Sequence, residues 1–178
     1  LLDDNKFYFL NKSMSLSKIG WNDNDNIIIP KLWRYNQHYF DDLNALDSLK
    51  RKTWHYKLLK NWLSENKQTK GVGWEPYPTS IRIVNWIKWH LQGNKLSNEC
   101  VYSLALQGRW LYKRIEWHIL GNHIFSNAKA LIFLGVFFSS KESDNWLKKG
   151  LKIINEELDE QVLDDGGNFE RSPMYHAI

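Results

Sequence analysis

The sequence predicts an all-α fold: stacked antiparallel helical hairpins forming part of an incomplete α/α-toroid, with an irregular N-terminal segment. Three observations predict it. From Asp47 onward apolar residues recur at close to the 3.6-residue period of a helix. The breaks between these periodic stretches are short, and short connections make successive helices antiparallel neighbours. Residues 1–46 show no such period, so they read as an irregular segment packing on a helical domain of residues 47–178.

Within the first segment, Phe7-Tyr8-Phe9-Leu10 and Ile27-Ile28-Ile29 have the composition of short strands, and the Asn/Asp run Asn22 to Asn26 is turn chemistry. That run lacks the glycine and distal glutamate of a calcium loop. A short helix is expected within Trp33 to Leu46. Leu49 to Leu63 places Trp54, Leu58, Leu59 and Trp62 near one face of a helix. Gly71, Gly73, Pro76 and Pro78 make Lys70 to Pro78 a loop. A second helix is expected from about Thr79 to Leu91, and a third from about Asn98 to Ile119, closed by Gly121 as a C-terminal glycine. The fourth, Asn122 to Phe138, is apolar almost all round and so belongs at the centre. Ser139 and Glu142 have capping-box spacing for a fifth helix, whose stripe is Trp146, Leu147, Leu151, Ile154, Leu158 and Val162. After the turn Asp164 to Asn168, Ser172 and Pro173 are the cap and first residue expected of a sixth. Six helices are too few to close a large ring. The chain also lacks an initial Met and stops at Ala177-Ile178 inside an apparent helix, so a piece of a longer protein is expected.

Ten Trp, eight Tyr and eight Phe exceed what a helical core needs, and some of these rings are expected along a groove, where flat aromatics suit sugar faces. Net charge is +4, yet Ser48 to Arg114 carries 13 Lys and Arg against Glu65, Glu75 and Glu99, a surplus of ten. A basic middle can steer an anionic polymer or simply form solvated helix faces. A nucleic-acid binder ranks last, because no recognition motif accompanies the charge. Cys100 is alone, which excludes an internal disulfide. Leu1 to Leu10 lacks the basic region and apolar run of a signal peptide, and no stretch reads as a membrane span.

Two polar motifs interrupt the apolar helices. Gly121-Asn122-His123 opens the fourth helix, and Glu170-Arg171-Ser172-Pro173-Met174-Tyr175-His176 opens the last. Helix starts present unpaired N–H groups and a positive dipole end, which suit anions. Asn122 is either an N-cap or an amide that donates to a ligand. His123 and Asn127, four apart, share a face. Tyr175, in a first turn, is either a core tyrosine or a phenol eased toward proton transfer by the helix dipole. His118 and His123 have the wrong spacing for zinc, and neither a nucleophile elbow nor a phosphate-binding loop occurs, so neither metal nor cofactor is expected.

Four stretches in order carry a resemblance: Leu32-Trp33-Arg34-Tyr35-Asn36-Gln37-His38-Tyr39-Phe40; Tyr77-Pro78-Thr79-Ser80-Ile81-Arg82-Ile83-Val84-Asn85-Trp86; Gly121-Asn122-His123; and Asp165-Gly166-Gly167-Asn168-Phe169-Glu170 through Tyr175-His176. Together they resemble the heparinase II/III family. The resemblance implies a polysaccharide lyase acting on uronic-acid-containing glycans by β-elimination, with this chain as part of its N-terminal toroid and a C-terminal β-sandwich domain missing. It implies that Asn122, with His123, neutralises the uronate carboxylate and that Tyr175 is the acid, and in some members also the base. It implies a further histidine from the absent domain, and a periplasmic or extracellular bacterial protein. Tyr35, Asn36, His38, Trp74, Tyr77, Arg82, Asn127, Glu170, Arg171 and His176 are the expected substrate contacts, with Arg82 pairing to carboxylate or sulfate. Asn122 and Tyr175 are expected roughly 5–10 Å apart, across one sugar. Alternatives are a helical-toroid glycoside hydrolase using Glu75 with Asp165 or Glu170, and a non-catalytic acidic-glycan-binding module.

Overall fold

A computed structural model describes residues 1–23, 28–119 and 121–169. The expected sixth helix, with Glu170, Arg171, Tyr175 and His176, lies outside the described residues.

The chain opens with a hairpin, β1 (Lys6–Phe9) paired antiparallel to β2 (Lys12–Ser15), with Phe7 opposite Met14. Alternation along β1 buries Phe7 and exposes Tyr8. A single helical turn, α1 (Leu16–Ile19), follows. Ile28 and Ile29 lie in no strand; Ile28 is exposed and Ile29 enters the core. Then α2 (Lys31–Tyr39) runs to Phe40, which takes a left-handed conformation at φ 62°. That conformation is costly for a bulky residue. Packing holds it: the Phe40 ring stacks on Trp21 and meets Trp62 and Trp86 edge to face. The first 40 residues therefore share one apolar core with the helices that follow.

After a short 3-10 turn (Ser48–Arg51) come α3 (Lys52–Glu65), α4 (Pro76–Leu91), α5 (Asn98–Tyr112), α6 (Gly121–Phe137) and α7 (Lys141–Gln161). Helix α4 starts three residues before the expected Thr79. Its two prolines fit a first turn, where a missing N–H costs nothing. This places Tyr77 in a helix rather than a loop. Helix α5 stops at Tyr112, seven residues short of Ile119, because the chain folds back to bury Ile115 and Glu116. Gly121 consequently does not close α5; it begins α6, at φ 55°. The capping box of α7 lies one residue later than expected. Ser140 Oγ accepts from the Ser143 N–H, and Ser143 Oγ from the Ser140 N–H, while Glu142 pairs with Arg109.

The contacts fix helix directions. Asn122 meets Tyr77 at the starts of α6 and α4, and Phe137 meets His90 at their ends, so these two helices run parallel. Gln107 in the second half of α5 meets Arg82 in the first half of α4, and Gln161 at the end of α7 reaches Gly121 at the start of α6. Two antiparallel hairpins, α4–α5 and α6–α7, thus lie side by side. Close approach of α6 and α7 depends on glycine: a Cβ at Gly135 would lie 2.5 Å from Leu147 Cβ, and one at Gly150 2.8 Å from the Ala128 carbonyl. Helix α6 is central, packed against α4, α5 and α7, with Ile124, Ala128, Leu131 and Leu134 buried. Seven of the ten Trp side chains are buried, so the aromatic surplus mainly builds the core. No described helix is long and apolar enough to cross a membrane.

Candidate active site at the paired starts of α4 and α6

Parallel packing brings the starts of α4 and α6 to one end of the array. Neither first turn carries an acidic residue, but Glu75 immediately precedes α4, so the start of α6 is the positive dipole end left for an anion. Asn122 lies within the first turn of α6 rather than capping it. Its Nδ2 donates to the Tyr77 hydroxyl at 3.3 Å, a long bond that a better acceptor can displace. The His123 ring stacks on the Tyr77 ring, centroids 4.1 Å apart and planes 22° from parallel.

Behind His123 lies a buried polar network. Glu116 Oε1 is 3.1 Å from His123 Nδ1. Glu116 Oε2 accepts from Asn127 Nδ2 at 3.1 Å, and Asn127 Oδ1 accepts from the Glu116 backbone N–H at 2.9 Å. Asn127 Nδ2 also donates to Ser80 Oγ at 3.0 Å. Asn127 is fully buried and Glu116 is 5% exposed, whereas the His123 side chain is 22% exposed. A buried carboxylate needs such partners. The network turns an apolar helix start into a fixed polar surface.

Helix α2 contributes two more phenols. Tyr39 meets the Tyr77 ring edge to face at 5.9 Å, and Tyr35 lies 6.4 Å from it. Burial, then the hydrogen bond to Glu75, pushes Tyr35 well above the usual phenol range; burial and the neighbouring Tyr77 do the same to Tyr39. Burial thus favours the neutral phenol at both positions, and Tyr35 donates to Glu75. Glu75 is also paired with Lys31 at 2.9 Å. From Tyr39 and Tyr77 a cleft of about 330 Å³ runs along α4 and α6, past Ser80 and Asn85, to Lys88 and Lys129. Burial and then Lys88 lower Lys129, and burial raises Asp41 at the same cleft. Among the described residues, no three His, Cys, Asp or Glu side chains converge as a metal site would require.

Of the residues expected at the site, Asn122, His123, Tyr77 and Tyr35 come together. Asn127 is close by but buried, facing Glu116 and Ser80 rather than a groove. Asn36 is bonded to the Leu32 carbonyl of its own helix. Three expectations are corrected. Arg82 is fully buried; its guanidinium donates to Gln107 and Thr79 and lies 4.1 Å over the Trp62 ring, out of reach of a solvent anion. His38 is fully buried between the Trp21 carbonyl and the Trp62 indole N–H. Trp74 is in the core, donating to the Asn66 carbonyl. Glu116, Tyr39 and Ser80 were missed. For Glu116 there was one sequence signal, an acid flanked by Ile115 and Trp117 just before the polar motif.

Residues 33–178 match the family model described as Heparinase II/III N-terminus. The chain is similar to the heparin-sulfate lyase of Bacteroides stercoris, 42% identical over 72 residues, which cover 36% of this chain and 11% of that enzyme. It is similar to the heparin-sulfate lyase of Pedobacter heparinus, 42% identical over 58 residues, covering 32% of this chain and 9% of that enzyme. It is also similar to that of Bacteroides thetaiotaomicron, 27% identical over 132 residues, covering 67% of this chain and 19% of that enzyme. The matches thus span less than a fifth of the length of these relatives. No solved structure gives a significant match.

Proposed function

This chain belongs to the heparinase II/III family of polysaccharide lyases, and we propose that it is part of an enzyme that cleaves uronic-acid-containing glycans by β-elimination. The observation that carries this reading is the partly exposed pair Asn122 and His123 in a first helical turn without acidic residues, beside the Tyr77 ring. β-Elimination removes the proton at C5 of a uronate, next to its carboxylate, and expels the oxygen at C4. Donors aimed at that carboxylate stabilise the charge that develops as C5 loses its proton. Asn122 Nδ2 and His123 are such donors, and the positive end of α6 adds to them. Tyr77 and Tyr35 offer flat faces to the sugar ring. Tyr175 supplies the proton for the leaving oxygen, and acts as base where the two transfers share one side of the ring.

The rest of the enzyme, including further hairpins closing the toroid and a C-terminal β-sandwich with its histidine, completes the site in this reading. A periplasmic or extracellular location in a bacterium belongs to the same reading. A hydrolase pairing Glu75 with Asp165 has less support. Glu75 is committed to Lys31 and Tyr35, and Asp165 Oδ1 caps its own turn at Gly167. The test is to incubate the full-length protein with uronate glycans and follow the absorbance of an unsaturated uronate. New reducing ends without unsaturation would instead mean hydrolysis.

A further inference from the structure

We infer that Glu116 is a positioning residue for His123: it keeps the proton of the neutral ring on Nδ1, so that Nε2 is the nitrogen left open to a ligand. The functional meaning rests on the lyase reading; the proton's location does not.

Donors and acceptors around an ionised Glu116 carboxylate carry the inference. Asn127 Oδ1 accepts from the Glu116 backbone N–H, which fixes the orientation of the Asn127 amide. Its Nδ2 must then face Glu116 Oε2 and Ser80 Oγ as a donor. The Glu116 oxygen facing Asn127 is therefore an acceptor. With the Glu116 carboxylate ionised, the other oxygen, Oε1, is also an acceptor, and it faces His123 Nδ1 at 3.1 Å. Nδ1 must carry the proton. Stacking on Tyr77 holds the ring in that plane. Nε2 has no partner among the described residues, and the ring is partly exposed. Held this way, His123 can donate to a uronate carboxylate only as an imidazolium, with Glu116 balancing its charge from behind. A carboxylate that orients a functional imidazole through its far nitrogen is a recurrent device.

The same reasoning makes Glu116→Gln informative. Asn127 still presents a donor, so the oxygen of the new side-chain amide must turn toward it. The NH₂ of that amide then faces His123 Nδ1, which has to accept. The proton of the neutral ring moves to Nε2. The variant becomes a neutral donor to the substrate, and a charge-assisted bond, roughly twice as strong as a neutral one, is lost.

The experiment is ¹⁵N NMR of histidine-labelled full-length protein at a pH where the ring is neutral, with His123 assigned through His123→Gln. The expected result is a protonated Nδ1 and bare Nε2 in the parent, inverted in Glu116→Gln. Turnover on a uronate glycan should fall about tenfold in that variant, and Glu116→Asp should recover part of it. A parent ring protonated at Nε2 overturns the inference, and that reading stands even if the variant does not fold. An uninverted ring in a folded Glu116→Gln overturns it too, as does full activity with an inverted ring. If the ring behaves as expected but the parent makes no unsaturated product from any uronate glycan, the lyase reading fails and the positioning of His123 stands.

Discussion

Two clusters in this molecule use the same side-chain chemistry and end in opposite conditions. One joins His38, Arg82, Trp62 and Trp74; the other joins Asn122, His123, Tyr77 and Glu116. In the first, every polar group faces inward. His38 Nε2 donates to the Trp21 carbonyl at 3.0 Å, its Nδ1 accepts from Trp62, and Arg82 is spread over Gln107, Thr79 and an indole face. In the second, polar groups are held from behind and left open in front. Glu116 and Asn127 are buried and bonded, while His123 is partly exposed and Asn122 is held by one long bond. A histidine with both nitrogens occupied is architecture. A histidine with one nitrogen fixed and the other open can bind a ligand.

Tyr175→Phe in the full-length protein is the most damaging change expected, since it removes the group proposed for proton transfer and should leave glycan binding nearly intact. Turnover should fall by about 10²–10⁴-fold in a continuous assay for unsaturated product. Full activity in that variant would mean that the catalytic group lies elsewhere. Next comes the closed cluster: Arg82→Met should cost about 2–4 kcal/mol in urea unfolding, because it strands the Gln107 side-chain oxygen in the interior and removes the donor to Thr79. A stable Arg82→Met protein with weakened glycan affinity would erase the distinction between the clusters.

His38 sharpens the contrast through pH. Burial, followed by the charges of Arg82 and Arg34, lowers its pKa from 6.5 to about 3. The unfolded chain therefore binds the proton first, and stability is lost as pH falls from 6.5 toward 3. His38→Gln, which keeps a donor and an acceptor, should flatten that loss when unfolding midpoints are compared at pH 7 and pH 4. An identical pH dependence in both proteins would contradict the buried neutral ring. The smallest effect belongs to Asn36→Ala. Its side chain bonds only its own helix at the surface, so stability should change by less than about 0.5 kcal/mol and turnover not at all.

The sequence made the helices legible because their apolar faces repeat at the helical period, and it made the paired polar motifs legible because polar groups are costly inside apolar helices. It did not separate the two clusters. Arg82 and His38 sit among aromatic residues in a motif-like stretch, as groove residues would. Their burial depends on Trp21 and on Gln107, partners 17 and 25 residues away. Glu116 was missed because a continuous helix was read through it. The fold-back that buries it depends on Asn127 of the next helix, which bonds both its backbone and its carboxylate. Tyr77 was read in a loop, although Pro76 and Pro78 both fit a first helical turn. Local pattern reported which groups are polar. Long-range hydrogen bonds decided which of them remain open.

The most direct test of the central claim compares the full-length parent with Asn122→Ala on one uronate glycan, following both the unsaturated product and the bound glycan. The account predicts steady formation of unsaturated uronate by the parent. It predicts a fall of about 10²–10³-fold in the variant, the loss typical of removing one donor from a developing anion. Binding should change far less, and the cost in stability should stay near one hydrogen bond, about 1 kcal/mol. Equal rates of unsaturated product from both proteins, or product without unsaturation, would contradict it.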